Sequence, residues 1–142
     1  MAAREPLEIV REYIDRMSTG DTHALDDLVA ADMVNHASGL QGRDGLRRIL
    51  QVVDNDLGPL SGTTHHLFSE GDLVTQHSTL HGTHRASTMP LLAGVPVSGT
   101  AVDWEFIHIW RVVDGLIVEH WATRDDMGLL VQLGSGPQTS RS

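Results

Sequence analysis

Val102-Asp-Trp-Glu-Phe-Ile-His-Ile-Trp-Arg-Val112 alternates without a break. Successive side chains of a strand point to opposite faces, so Val102, Trp104, Phe106, His108, Trp110 and Val112 share one face, and Asp103, Glu105, Ile107, Ile109 and Arg111 the other. One face thus carries two of the three tryptophans, a phenylalanine and a single histidine among them. Aromatic rings around an isolated polar group are how a small-molecule pocket is commonly lined, which makes Trp104, Phe106, His108 and Trp110 candidate pocket residues.

Working outward, Asp114-Gly115 reads as a tight hairpin turn, and Leu116–Thr123 as the partner strand. Its alternation groups Ile117, Glu119, Trp121, Thr123 and Asp125 on one side. Thr63–Ser69, Leu73–Arg85 and Val97–Val113 read as further strands, separated by Glu70-Gly71-Asp72 and by the proline- and glycine-rich loop Pro90–Pro96. Upstream the period changes to three and four: Leu7, Ile9, Val10, Tyr13, Ile14 and Met17 predict an amphipathic helix over Pro6–Met17, with Pro6 in its first turn. A short second helix through Val29, capped by Asp21 or Thr22, an extended piece over Asp32–Ala37 and a third helix over Leu46–Asp54 follow. Asp126–Leu133 closes the chain as a helix. Helices first and a meander of long antiparallel strands afterward predicts an α+β fold. One domain over 1–134 and a flexible polar tail over 135–142 are expected.

Composition narrows the chemistry. The 142 residues carry a formal charge of −9, with no basic cluster longer than Arg47-Arg48. Nucleic acid and anionic membrane are poor partners for such a surface, because both require a positive patch. No stretch approaches a membrane span, and Met1-Ala-Ala-Arg-Glu-Pro6 leads into an amphipathic helix and not the apolar core of a signal peptide, so a cytoplasmic location is expected. The absence of cysteine removes thiol nucleophiles and thiolate metal sites, and the absence of lysine removes Schiff-base chemistry. His, Asp, Glu, Tyr, Ser and Thr remain.

Nine histidines invite a metal reading. On a regular strand, however, His77 and His81 lie ~13 Å apart, His84 has the opposite parity, and His65 and His66 point to opposite faces. No metal site is expected. His108 stands apart through its aromatic company, as a satisfied core histidine or as a pocket acid/base. Asp125 and Asp126 both suit the cap of the closing helix. Asp125 shares parity with Trp121, which assigns it to the pocket and Asp126 to the cap, and a carboxylate in an aromatic pocket suits proton abstraction and return. Asn35-His36 precedes a loop, where Asn readily bonds its own backbone. Arg124 with Asp126 leaves an epoxide-opening set as a minor alternative.

Asn35-His36-Ala37, Gly42-Arg43-Asp44-Gly45, His81-Gly82-Thr83-His84, Gly94-Val95-Pro96 with Gly99, and Val118-Glu119-His120-Trp121 followed by Asp125, Gly128-Leu129-Leu130 and Gln132-Leu133-Gly134 form an ordered set. This set resembles the SnoaL-like polyketide cyclases from about Leu7 to Gly134. The resemblance implies a cone-shaped α+β barrel, a curved, mostly antiparallel sheet wrapped around three N-terminal helices, with a short C-terminal helix. It implies intramolecular aldol ring closure on an aromatic polyketide or similar apolar carbonyl substrate, without metal or organic cofactor, with Asp125 and His108 as the acid/base residues. Asn35, His36, His77, Trp104, Phe106, Trp110 and Trp121 are the expected substrate contacts, and a homodimer through the outer sheet face, or a tetramer, the expected assembly. Hydroxylation, epoxide or lactone hydrolysis and non-catalytic ligand binding are the alternatives.

Overall fold

The computed structural model describes residues 4–136, and the last six residues of the expected tail lie outside them. The elements are α1 (Pro6–Ser18), α2 (Ala24–Leu28), β1 (Val29–Asn35), α3 (Gly42–Leu57), β2 (Ser61–Glu70), β3 (Leu73–Thr83), β4 (Ala101–Val113), β5 (Leu116–Arg124) and α4 (Asp126–Gln132), with one 3₁₀ turn at Pro90–Leu92. The five strands form one sheet in the order β1-β5-β4-β3-β2, antiparallel except where β1 runs parallel to β5. This is the α+β architecture read from the sequence, a sheet with helices against one face. The third helix is longer at both ends than its apolar periodicity marks, because Gly42-Arg43-Asp44-Gly45 is its first turn and not a loop before it. The first strand begins at Val29, three residues earlier than the extended piece expected there.

The hairpin between β4 and β5 turns on Asp114 and Gly115, at φ 52° and 78°. Two successive positive φ values match the right-handed twist of the strands they join, and Asp-Gly is the pair that adopts them most readily.

Two apolar clusters cover the inner face. At one end Ile9, Val10 and Tyr13 of α1, Leu25 and Leu28 of α2, and Met33 pack on Val74, Trp110, Val112 and Ile117. Tyr13 meets Trp110 edge-on, with ring centres 6.0 Å apart. At the other end Leu57, Met89, Leu92 and Leu129 pack on Val102 and Trp104. That second cluster is tied down by Asp56, fully buried at the end of α3. Its carboxylate accepts from the Thr88 and Met89 backbone N–H groups at 2.8 and 2.7 Å and from the Thr88 hydroxyl at 2.6 Å. His84, also fully buried, meets the hydroxyls of Ser87 and Ser98 at 2.7 and 3.2 Å. Between the two clusters lies a polar band. Among the described residues, no helix is long and apolar enough to cross a membrane.

Candidate functional site

The band is set by strand register. β4 pairs with β3 so that His108 faces Gln76 and Phe106 faces Ser78. It pairs with β5 so that Trp110 faces His120 and His108 faces Ala122. Residues directly opposite share a face. The inner face therefore carries Gln76, Ser78, Phe106, His108, Trp110 and His120 together.

His108 is half-buried between Phe106 and Trp110, its ring stacked near-parallel with both at 5.1 and 4.7 Å between centres. Nδ1 of His108 lies 2.9 Å from Nε2 of His120, whose Nδ1 lies 3.1 Å from Oδ1 of Asn35. Asn35 and His120 are both buried, and Oδ1 of Asn35 also accepts from the Ala37 N–H at 2.9 Å. Desolvation pushes the His108 pKa down to about 3, with the neighbouring His120 adding to the shift. Burial likewise takes His120 down to about 4, helped by His36. Both rings are thus neutral near pH 7. Nε2 of His108 has no partner within the described residues, yet no buried side-chain nitrogen or oxygen there lacks one. That nitrogen is therefore not sealed off from solvent.

Of the residues singled out in the sequence, Asn35, Trp104, Phe106, His108 and Trp110 are on this inner face, and three are not. Trp121 pairs with Ile109 and lies on the outer face, stacked on His36 at 4.8 Å. His36 in turn meets Glu119 at 2.6 Å, and Arg111 donates to the same carboxylate at 3.0 Å. His77 faces Ile107 on the outer side and contacts Glu105 at 2.8 Å. The assignment of Trp121 and its strand mates to the pocket is corrected by a bulge: Val112 faces Ile117 but Arg111 faces Glu119, leaving Val118 unpaired. One extra residue reverses the parity of everything after it. Ile117 points inward and so does His120, which the sequence reading passed over. A second bulge between Thr64 and His66 brings His65 and His66 to the same outer face, where they meet Thr79 and His77.

The two aspartates are also exchanged. Asp125, not Asp126, is the N-cap of α4: Oδ1 of Asp125 accepts from the Gly128 N–H at 2.9 Å, and the residue is exposed. A Cβ at position 128 would meet the Asp125 carboxylate as it folds over the helix end, so glycine there leaves this cap geometry unhindered. Asp126 instead accepts from Trp104 Nε1 at 3.1 Å and from Arg124 at 3.1 Å, with the guanidinium 5.4 Å over the Trp104 ring. Among the described residues, no group of three or more His, Asp or Glu side chains is placed to hold a metal ion.

Comparison with known proteins agrees with this architecture. The model of the SnoaL-like polyketide cyclase family matches residues 7–133. The chain is 25% identical over 134 residues to the aklanonic acid methyl ester cyclase DnrD of Streptomyces peucetius, covering 90% of each. Wild-type IdmH from Streptomyces antibioticus is similar in structure, with a TM-score of 0.79 and 28% identity over 92% of this chain and 99% of that one. TsrD from Streptomyces laurentii gives 0.77 and 26% over 90% and 93%. The chain therefore belongs to the SnoaL-like polyketide cyclase family.

Proposed function

We propose that the protein closes a ring on an aromatic polyketide ester by intramolecular aldol condensation, using acid/base groups of its own and no cofactor. The observation that carries this reading is His108, a neutral imidazole between two aromatic rings with Nε2 open and Nδ1 satisfied. An imidazole whose pKa is pushed to about 3 is available as a base across the neutral range but is a weak one. A carbon acid that is already acidic, such as a methylene flanked by two carbonyls, asks least of such a base. Nε2 takes that proton, the enolate carbon bonds to the acceptor carbonyl, and the resulting alkoxide takes the proton back from the imidazolium. No proton is consumed. Phe106 and Trp110 supply flat surfaces for a polycyclic substrate, and holding enolate and acceptor together can account for several kcal/mol of barrier lowering.

Asp125 is the second acid/base group of the proposal, on the ground of the family resemblance. Capping and chemistry then fall on one carboxylate: Oδ1 is engaged by Gly128, while Oδ2 is left to exchange a proton with substrate. The epoxide-opening alternative calls on Arg124 together with a free Asp126 carboxylate. Asp126 has both oxygens engaged, by Trp104 and by Arg124 itself, which disfavours it.

The outer face is assigned to a homodimer contact, supported by four large apolar side chains exposed there: Val34, Phe68, Ile107 and Val113. Ile107→Asp is expected to halve the sedimenting mass, and an unchanged mass would remove the assignment. The catalytic proposal is tested with purified protein and aklanonic acid methyl ester, the compound named for the DnrD cyclase, following ring closure by chromatography. Turnover that disappears in His108→Phe supports it. A hydroxylated or hydrolysed product in place of a cyclised one would replace it with another reaction in the same site.

A further inference from the structure

The hydrogen-bond directions around His108 can be worked out from one fixed point. The backbone N–H of Ala37 can only donate, so the Asn35 atom it meets at 2.9 Å is the amide oxygen. That same oxygen lies 3.1 Å from Nδ1 of His120, and an amide oxygen can only accept. Nδ1 of His120 therefore carries a hydrogen. Buried and neutral, His120 has one ring hydrogen, so its Nε2 is a bare acceptor. The group facing it at 2.9 Å is Nδ1 of His108, which must then be the donor. His108 in turn has one ring hydrogen, already placed on Nδ1. Its lone pair is left on Nε2, the nitrogen without a partner.

We propose that His120 is a positioning residue: clamped by Asn35, it holds His108 in the Nδ1–H tautomer and so keeps a lone pair on the nitrogen that meets substrate. The reading of His108 as the acid/base group is the premise of its functional importance, but the tautomer assignment needs only the hydrogen bonds and the neutrality of the two inner rings. Histidine in water favours the opposite tautomer, with the hydrogen on Nε2, and in that form His108 would present a donor where a base is required. Asn35 contributes through its oxygen only. Its own position is fixed by Gln41, whose Oε1 accepts from the Asn35 N–H at 2.8 Å and whose amide donates back to the Asn35 carbonyl at 2.8 Å. The chain Gln41, Asn35, His120, His108 thus runs from a loop before α3 to the centre of the aromatic row.

The test reads the tautomer directly. In ¹⁵N-labelled protein at pH 7, long-range proton–nitrogen correlation distinguishes a protonated ring nitrogen from a bare one, and the His108 signals are assigned by their loss in His108→Phe. Nδ1 protonated and Nε2 bare in both His108 and His120 is the expected result. Nε2 protonated in His108 of the unaltered protein would overturn the proposal with no variant needed. His120→Phe keeps the ring shape and removes the acceptor. It is expected to move the His108 hydrogen to Nε2 and to lower kcat for cyclisation by roughly 10–100-fold with KM little changed. His120→Gln restores an oxygen acceptor and should return both the tautomer and most of kcat. A His108 tautomer unmoved in His120→Phe also overturns the proposal. If the tautomer moves while cyclisation is unaffected, the positioning stands and the role given to His108 falls, so the two failures are distinguishable.

Discussion

The sheet carries two histidine pairs of nearly the same geometry on its opposite faces. On the inner face His108 and His120 meet nitrogen to nitrogen at 2.9 Å with ring centres 5.2 Å apart. On the outer face His66 and His77 do so at 3.0 Å and 5.3 Å. What differs is the third member. The inner pair ends on a buried amide oxygen, Asn35, while the outer pair ends on the exposed carboxylate of Glu105. An amide oxygen orients without adding charge, and with Phe106 and Trp110 covering the rings the inner pair is kept neutral. The outer pair lies at the surface beside a charged acceptor. The same two side chains make a tautomer-locked base on one face and a solvated surface pair on the other, and the surroundings decide which.

Replacing one member of each pair is the sharpest way to break this contrast. His108→Phe is expected to lower the rate of ring closure by about 10²–10⁴-fold, the range of a lost general acid/base. His77→Phe should change it by no more than about twofold. Comparable losses in the two variants would mean that the faces do not divide as described.

Stability against pH separates the pairs next. Both inner histidines have folded pKa values below the unfolded value of 6.5, about 3 for His108 and about 4 for His120. Between those values and 6.5 the unfolded chain binds more protons than the folded one, so stability rises with pH and is lost as pH falls through this window. The slope is at most about 1.4 kcal/mol per pH unit for each ring. From pH 6.5 to 5 the unaltered protein should therefore lose about 3 kcal/mol more, by urea denaturation, than a His108→Phe, His120→Phe double variant. Equal losses would mean that the inner pair titrates in the folded state as it does in water.

How far these pairs could be read from sequence depends on bulges. Alternation along β4 places Trp104, Phe106, His108 and Trp110 on the inner face correctly, because that strand pairs regularly with β3 from Ala101 to Arg111. The same reasoning fails on β5, where Val118 is an extra residue, and on β2, where the register slips at His65. A bulge leaves almost no local signal. On β5 the only trace is Leu116-Ile117-Val118, three apolar residues in succession, where strict alternation would have put a polar one second. That trace was sufficient to make the parity of His120 and Trp121 ambiguous, and with it the assignment of Asp125. The exchange of the two aspartates had a clearer sign in Gly128, three residues after Asp125, the position whose N–H an N-cap side chain reaches. The relay from Gln41 to His108 was not legible at all, since it joins residues 67 positions apart through a parallel strand pairing that periodicity does not report.

Asp125 gives a narrower test, because its two assigned roles respond differently to two substitutions. Asn caps a helix about as well as Asp, so Asp125→Asn should leave the folded protein within about 0.5 kcal/mol of its original stability. If Oδ2 exchanges a proton with substrate, the same variant loses about 100-fold in rate. Asp125→Ala should show that rate loss and in addition about 1 kcal/mol of destabilisation from the lost cap. A rate loss under tenfold in Asp125→Asn, with the Ala variant merely less stable, would confine Asp125 to the helix end and leave the proton transfer to His108 alone.

The smallest expected effect belongs to the outer pair. His66→Phe removes one end of the nitrogen contact and exposes a ring that His77 can still pack against, 5.3 Å away in the present arrangement. A hydrogen bond between exposed groups exchanges readily with water, so the change in stability should be within about 0.5 kcal/mol. The His108 tautomer should be unchanged, since no hydrogen bond joins the two pairs through the sheet; their backbones lie on neighbouring strands but their side chains leave from opposite faces. A shift of the His108 nitrogen signals in His66→Phe would show that the sheet transmits between its faces, and the separation of a chemical face from a surface face would then have to be given up.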